Sequence, residues 1–365
     1  MSDLRVGVLG AGQLGRMLAL AGYPLGMQFR FFDPDPHASS AMLAQHIVAP
    51  YDDLAALDAF ADGLDVVTYE FENVPFATAH YLAQRVEVYP PPRALEITQD
   101  RVAEKGFMHA AGLSVARFVP VCSCSDLEDG LDIVGLPAVL KTRRMGYDGK
   151  GQRVIRDASS ARAALEDLGT TNLVLEEFVT FDRELSLVAA RGREGASVCY
   201  PLVENHHREG ILRETRAPAP GLDEQLQRMA ESGAQQMMST LNYVGCLAIE
   251  FFQRGDELIA NEVAPRVNNT GHWTIEGAVT SQFENHVRAI TGLPLGSAAP
   301  IANAIMLNVV GSFPSLERLL MDPAAHVHDY GKSPRPGRKL GHVTLVDDDL
   351  ERVERRAMRV RALLA

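Results

Sequence analysis

Strand-like runs alternate with amphipathic stretches through the first ninety residues. Val6-Gly7-Val8-Leu9 is a short apolar run that stops at Gly10. Leu14, Met17, Leu18 and Ala21 recur at helical spacing, which predicts a helix over 13–25. Strand-like runs return at 29–32, 65–69 and 86–89. The first of these ends in Asp33-Pro34-Asp35-Pro36 and the last in three prolines, both turn signals. Strands separated by helices imply a parallel sheet, so residues 1–95 read as a doubly wound, Rossmann-like α/β domain.

The pattern then changes. Helical spacing covers 95–111, and strands are predicted at 138–141, 153–155, 173–177 and 185–188. Residues 161–168 and 224–241 read as helices, and 245–263 reads as a hairpin. Residues 96–292 are therefore an α+β, mostly antiparallel domain. A small C-terminal domain, 293–365, holds strands at 304–309 and 342–346, a basic loop at 332–339 and an Arg-rich terminal helix.

Composition narrows the function classes. In 365 residues, 46% are hydrophobic and 22% charged, an ordinary globular balance. Lys+Arg 35 against Asp+Glu 47 gives a net charge of −12, which disfavours nucleic acid held on a broad basic face. A local basic cleft can still hold an anionic small molecule. Cys122, Cys124, Cys199 and Cys246 have neither zinc-finger nor thioredoxin spacing. No apolar run is long enough for a membrane helix, and the N-terminus has no signal-peptide core. The expectation is a cytoplasmic protein with no membrane partner.

Two glycine runs suggest phosphate chemistry. Gly10-Ala11-Gly12-Gln13-Leu14-Gly15 fits G-x-G-x-x-G between a strand and a helix. With Asp33 after the next strand, it suits NAD; a tight turn or another phosphate ligand accounts for the glycines equally well. The second run, Met145 to Gly151, joins two strands behind Lys141, Arg143 and Arg144. It lacks the Walker pattern and reads as a flap over phosphates, with Lys141 as a fixed point charge.

Glu250 and Glu262 form the third feature. Their midpoint is Asp256, inside the turn signal Arg254-Gly255-Asp256, so a hairpin centred there sets the carboxylates opposite each other. Opposed like charges among apolar neighbours call for neutralisation, and oxygen ligands suit Mg²⁺ bridging phosphates.

Lys141 with its flap, Glu176-Glu177-Phe178-Val179, Glu184, Ala248-Ile249-Glu250 and Asn261-Glu262-Val263-Ala264-Pro265-Arg266 together resemble the ATP-grasp enzymes. The match narrows with Gly10 to Met17, Tyr69-Glu70-Phe71-Glu72-Asn73-Val74, Lys141 to Gly151, and Tyr330-Gly331-Lys332 with Gly337-Arg338-Lys339-Leu340-Gly341-His342. These look like the 5-(carboxyamino)imidazole ribonucleotide synthetase family of purine biosynthesis. The resemblance spans about Arg5 to Val346 and implies an ATP-grasp architecture flanked by the two smaller domains.

That resemblance implies a C–N bond-forming ligase. 5-Aminoimidazole ribonucleotide, bicarbonate and ATP, through carboxyphosphate, give the N-carboxylated ribonucleotide, ADP and phosphate. It implies ATP contacts from Arg101, Lys141, Gly146, Tyr147, Asp148, Gly149, Lys150, Gly151, Gln152, Glu176, Glu177, Phe178, Val179, Glu184, His207, Asn261 and Glu262. Glu250 and Glu262 would hold Mg²⁺. Glu70, Glu72, Arg266, Asn269, His272, Lys332, Arg338 and Lys339 would surround the ribonucleotide, with Arg266, Tyr147 and Lys141 closest to the chemistry. A homodimer is also implied. Two positions depart from the family: Asn268-Asn269-Thr270 stands where His-Asn-Ser is common, and Ala264 stands where many ATP-grasp enzymes place an Asn ligand. Competing readings are another ATP-grasp ligase (glycinamide ribonucleotide transformylase or biotin carboxylase-like), an NAD-dependent oxidoreductase and a non-catalytic nucleotide sensor.

Overall fold

The computed structural model describes residues 4–146 and 151–364. The N-terminal segment gives strands β1 (Arg5–Leu9), β2 (Gln28–Phe32), β3 (Gln45–Ile47), β4 (Val66–Tyr69) and β5 (Glu87–Val88). They form a five-stranded parallel sheet in the order β3-β2-β1-β4-β5. Helices α1 (Gln13–Gly22), α2 (Leu54–Ala61) and α3 (Phe76–Leu82) connect the strands. The strands are buried on both faces, as a doubly wound sheet requires: Val6 and Val8 pack under α1, while Leu9, Val67 and Tyr69 pack against α2 and α3.

Spacing predicts one helix over 95–111, but the chain makes two, α4 (Pro92–Thr98) and α5 (Arg101–Ala110). Asp100 is the reason. It sits extended between them, and its carboxylate accepts from the N–H groups of Val102 and Ala103, so it starts a new helix as an N-cap.

Strand β6 (Ser114–Val115) follows, then β7 (Phe118–Val121), helix α6 (Cys124–Val134), β8 (Ala138–Thr142), β9 (Gln152–Ile155), α7 (Ala158–Leu168) and β10 (Leu173–Glu177). β7, β8, β9 and β10 make a four-stranded antiparallel sheet covered by α6 and α7. The second glycine run is the β8–β9 connection.

The remaining strands are β11 (Arg183–Arg191), β12 (Ser197–Cys199), β13 (Val203–Arg208), β14 (Ile211–Ala217), β15 (Gly245–Arg254), β16 (Glu257–Ala264), β17 (Asn303–Val310), β18 (Ala325–Asp329) and β19 (Lys339–Asp347). Helices α8 (Glu224–Thr240), α9 (Thr274–Gly277), α10 (Gln282–Ile290), α11 (Leu316–Leu319) and α12 (Leu350–Leu364) pack around them. The main path of the sheet is β18-β19-β17-β14-β13-β11-β15-β16-β6, with β12 beside β11. The C-terminal strands therefore build no sheet of their own. β17 pairs with β14, and the segment from residue 293 extends the central sheet, closed by α12 through Val353, Ala357 and Val360. No helix among the described residues is long and apolar enough to cross a membrane.

Candidate active site

A cleft of about 530 Å³ opens between the four-stranded sheet and the large sheet and reaches the N-terminal domain. β8 and the glycine connection contribute Lys141, Arg143, Gly146 and Gln152. β10 and its exit contribute Glu176, Glu177, Phe178 and Val179; Glu184, His207, Glu250, Asn261 and Glu262 come from the large sheet. Gln13, Glu72, Arg266, Asn269 and Lys339 complete the lining. Tyr147, Asp148, Gly149 and Lys150 lie outside the described residues. Gly151 anchors the second side of the flap: its C=O accepts from the Thr142 N–H at 2.9 Å.

The acidic pair is in register because β16 carries a bulge. Arg254 pairs with Glu257, so the turn holds only Gly255, at φ +57, and Asp256. That centre alone would set Glu250 against Asn261 and turn Glu262 onto the opposite face. A β-bulge at Asn261 adds one residue, and Glu262 comes opposite Glu250. Burial, and next the Glu262 charge, push the Glu250 carboxyl up to about 7. Two carboxylates held opposite each other in the cleft are a donor set that fits a divalent cation. Ala264 is buried in the core and lines the same wall without a ligand atom.

Lys141 reaches into the cleft and donates to Glu176 Oε2 at 2.8 Å. Lys105 reaches the same oxygen at 3.2 Å. Burial opposes ionisation of Glu176, yet the two ammoniums outweigh it and hold the carboxyl at about 2. Burial lowers the Lys141 pKa, with partial compensation from Glu176. The exit of β10 carries an apolar patch of Val179, Ala116 and Ile259 against Phe252. Opposite it, His207 Nδ1 lies 2.8 Å from Glu184 Oε2. Burial disfavours the His207 cation, but the Glu184 hydrogen bond and the Glu250 and Glu184 charges raise its pKa overall. Arg101, on α5, lies 3.8 Å from Glu262.

The first glycine run is already occupied. The Glu70 carboxylate accepts from Gly12 N–H at 2.8 Å and Gly15 N–H at 3.2 Å. Asp33 accepts from Ala11 N–H at 2.9 Å. A Cβ at Gly12 would stand 2.7 Å from Glu70 Oε1, and one at Gly10 would stand 2.8 Å from Glu70 Cγ. The glycines make room for an internal carboxylate where a dinucleotide needs its pyrophosphate, which weighs against the NAD alternative. Glu70 is consequently buried behind the loop. Glu72 faces the cleft and pairs with Arg266.

His272 is not part of the cleft lining, and neither of its ring nitrogens has a partner among the described residues. It is 0% exposed and stacks on His342 at 4.8 Å between ring centres, with Phe283 and Tyr330 beside it. Burial keeps its pKa well below the usual imidazole value, and it belongs to the core behind the cleft. Of the basic loop only Lys339 lines the cleft; Lys332 reaches its edge through Gln13, and Arg338 stays within its own loop. Lys332 donates to Gln13 Oε1, and Arg338 donates to Ser333 C=O at 3.2 Å. Burial and the neighbouring Arg338, Lys339 and Arg335 charges bring Lys332 down to about 8. Several buried polar atoms on the cleft wall find no partner among the described residues: Arg266 Nε, Glu176 Oε1 and both amide atoms of Asn269. Buried polar atoms without a protein partner call for another one, and these face the cleft.

Glu104 and Lys105 also line the cleft and escaped the sequence reading. The available signal was spacing: they follow Arg101 by three and four positions, which puts all three on one helical face.

Comparisons with known proteins divide the chain in the same order. Residues 106–283 match the ATP-grasp domain model, 3–99 the ribonucleotide synthetase preATP-grasp domain, and 304–356 the phosphoribosylaminoimidazole carboxylase C-terminal domain. The chain is similar to the N5-carboxyaminoimidazole ribonucleotide synthase of Pseudomonas aeruginosa, 48% identical over 361 residues and 99% of each chain. The namesake from Brucella melitensis is 42% identical, covering 93% of this chain and 96% of its own. Among solved structures, the N5-carboxyaminoimidazole ribonucleotide synthetase of Thermus thermophilus superposes with a TM-score of 0.96 at 54% identity, covering 99% and 98% of the two chains. The Aspergillus clavatus synthase in complex with ADP and 5-aminoimidazole ribonucleotide gives 0.91 at 27% identity, covering 100% and 99%.

Proposed function

The chain belongs to the N5-carboxyaminoimidazole ribonucleotide synthase family, and from that premise we propose how its cleft carries the family's reaction. The protein is an ATP-grasp ligase of purine biosynthesis that carboxylates 5-aminoimidazole ribonucleotide at the expense of ATP. The observation that carries the site assignment is the pair Glu250 and Glu262, brought opposite each other in the cleft that Lys141 and Arg266 also line.

In this reading the nucleotide lies between the two sheets. The adenine rests on the Val179, Ala116 and Ile259 patch, with the backbone of Glu176 to Val179 along its edge. Glu184, oriented by His207, accepts from the ribose hydroxyls. Lys141 and Arg101 neutralise phosphate oxygens, with Gly146 and Gln152 lining the same part of the cleft. Glu250, Glu262 and Asn261 would hold Mg²⁺, which supplies charge neutralisation to the transferring phosphoryl group.

The ribonucleotide takes the opposite end. Lys332, Arg338 and Lys339 grip its phosphate, since charge-assisted contacts from fixed cations suit that dianion. Arg266, held by Glu72, and Asn269 face the carboxylating centre; the unpartnered Arg266 Nε and Asn269 amide supply donors there. Asn268 has its Oδ1 committed to the Thr270 N–H at 2.9 Å, so the position common to His in the family plays a structural part here. A cytoplasmic homodimer completes the reading. ADP release measured with and without 5-aminoimidazole ribonucleotide and bicarbonate tests it. Release that depends on both supports the ligase; release indifferent to the ribonucleotide overturns it.

A further inference from the structure

Glu262 does not hold its place through the hairpin alone. The ladder between β16 and β6 includes Ile259 and Ala260 and stops there. Beyond Ala260 the edge of β16 carries the bulge, and bulges leave backbone groups outside the ladder. Two consecutive side chains of α5 meet that edge. Glu104 Oε1 accepts from Val263 N–H at 2.6 Å, and Lys105 Nζ donates to Asn261 C=O at 3.3 Å. The contacts are 159 and 156 residues apart in sequence, and they flank Glu262 on either side. Both side chains are almost wholly buried, at 4% and 1% exposure, so neither is a solvated surface pair. Lys105 is also 3.2 Å from Glu176, which holds Lys141.

We propose that Glu104 and Lys105 are positioning residues for phosphoryl transfer: they grip the backbone on both sides of Glu262, hold its carboxylate opposite Glu250, and tie that acidic pair through Glu176 to Lys141. The inference rests on the reading of Glu250 and Glu262 as cation ligands. A backbone group buried without a partner is disfavoured, so the bulge persists because α5 satisfies it. The bulge in turn decides which face Glu262 presents. Cation affinity thus depends on two side chains that supply no ligand atom to the pair, as outer-shell partners of metal ligands commonly do.

The test uses the full chain with Lys105→Met, Glu104→Ala and Glu104→Gln. Hydrogen exchange of the segment 259–264 in unliganded protein reads the grip directly. Binding of Mn²⁺ in the presence of ADP, followed by electron paramagnetic resonance, reads its consequence. Glu104→Ala should speed exchange at Val263, and Glu104→Gln, which retains an accepting oxygen, should speed it less. Lys105→Met and Glu104→Ala should weaken Mn²⁺ binding by about ten- to a hundredfold. Folded variants with wild-type exchange and wild-type Mn²⁺ affinity overturn the proposal. If Lys105→Met does not fold, the order of the two Glu104 variants decides: equal exchange and equal affinity overturn it. Wild-type protein that binds no Mn²⁺ with ADP overturns the cation reading itself, while exchange at Val263 still decides the grip separately.

Discussion

Replacing Glu70 tests why the first glycine run exists. In Glu70→Ala the Gly12 and Gly15 N–H groups lose the acceptors they now have at 2.8 and 3.2 Å, at the N-terminus of α1. A hydrogen bond to a charged group is worth about 1.5–3 kcal/mol. Loss of the favourable carboxylate at a helix N-terminus adds about 0.3–1 kcal/mol. Against this stands the cost of burying the carboxylate: burial raises the Glu70 pKa despite the two N–H groups, Lys332 and Arg266. The net expectation is a loss of about 2–4 kcal/mol, with Glu70→Gln losing about half as much because one accepting oxygen remains. Urea unfolding at constant m-value is the measurement, and Trp273, the single tryptophan and fully buried, supplies the fluorescence signal. The pH dependence has a definite sign. A carboxyl whose folded pKa is raised holds its proton longer in the folded state, so stability falls as pH rises from the ordinary carboxyl range through the folded value. Glu70→Gln removes that part of the slope. The emptied loop should also accept an anion, so sulfate should stabilise Glu70→Ala more than wild type. A Glu70→Ala protein within about 0.5 kcal/mol of wild type, with no added response to sulfate, would refute the reasoning.

Glu262→Gln should lower ATP turnover at saturating Mg²⁺ by at least about a hundredfold, because one charge of the opposed pair is lost at a phosphoryl-transfer site; near-normal ADP release would contradict the assignment. Glu176→Gln should destabilise the protein at neutral pH. With a folded pKa of about 2, that contribution is present above the ordinary carboxyl range and is lost as pH falls toward about 2, so denaturation curves of variant and wild type should converge in acid. Lys332→Ala and Arg338→Ala should each raise the KM for the ribonucleotide by roughly ten- to a hundredfold and leave the KM for ATP little changed; steady-state kinetics with each substrate varied separates the two. Arg338→Lys should cost less than Arg338→Ala, since a point charge remains without the planar fork.

Local sequence determined the elements and much of the chemistry. Apolar runs broken by helical spacing are enough to specify a parallel sheet, and Asp33-Pro34-Asp35-Pro36 stops its second strand through backbone restrictions that act within a few residues. The same is true of Lys141 on its strand and of the hairpin carrying Glu250 and Glu262. What lay beyond local rules was decided by groups far apart in the chain. The G-x-G-x-x-G run specified a loop with open N–H groups; only the meeting of β1 and β4 brought the Glu70 carboxylate onto two of them. The hairpin pattern specified an acidic pair; the bulge that aligns it depends on α5, more than 150 residues earlier, because an unpaired strand edge must find partners from whatever packs beside it. His272 followed the motif Arg266 to Thr270 closely enough to look like a ligand. Its burial came from His342 on β19 and Tyr330 just after β18, residues that no spacing rule connects to it. Hydrophobic periodicity reports which face of an element is buried, and carries no information about which distant polar group will satisfy the other.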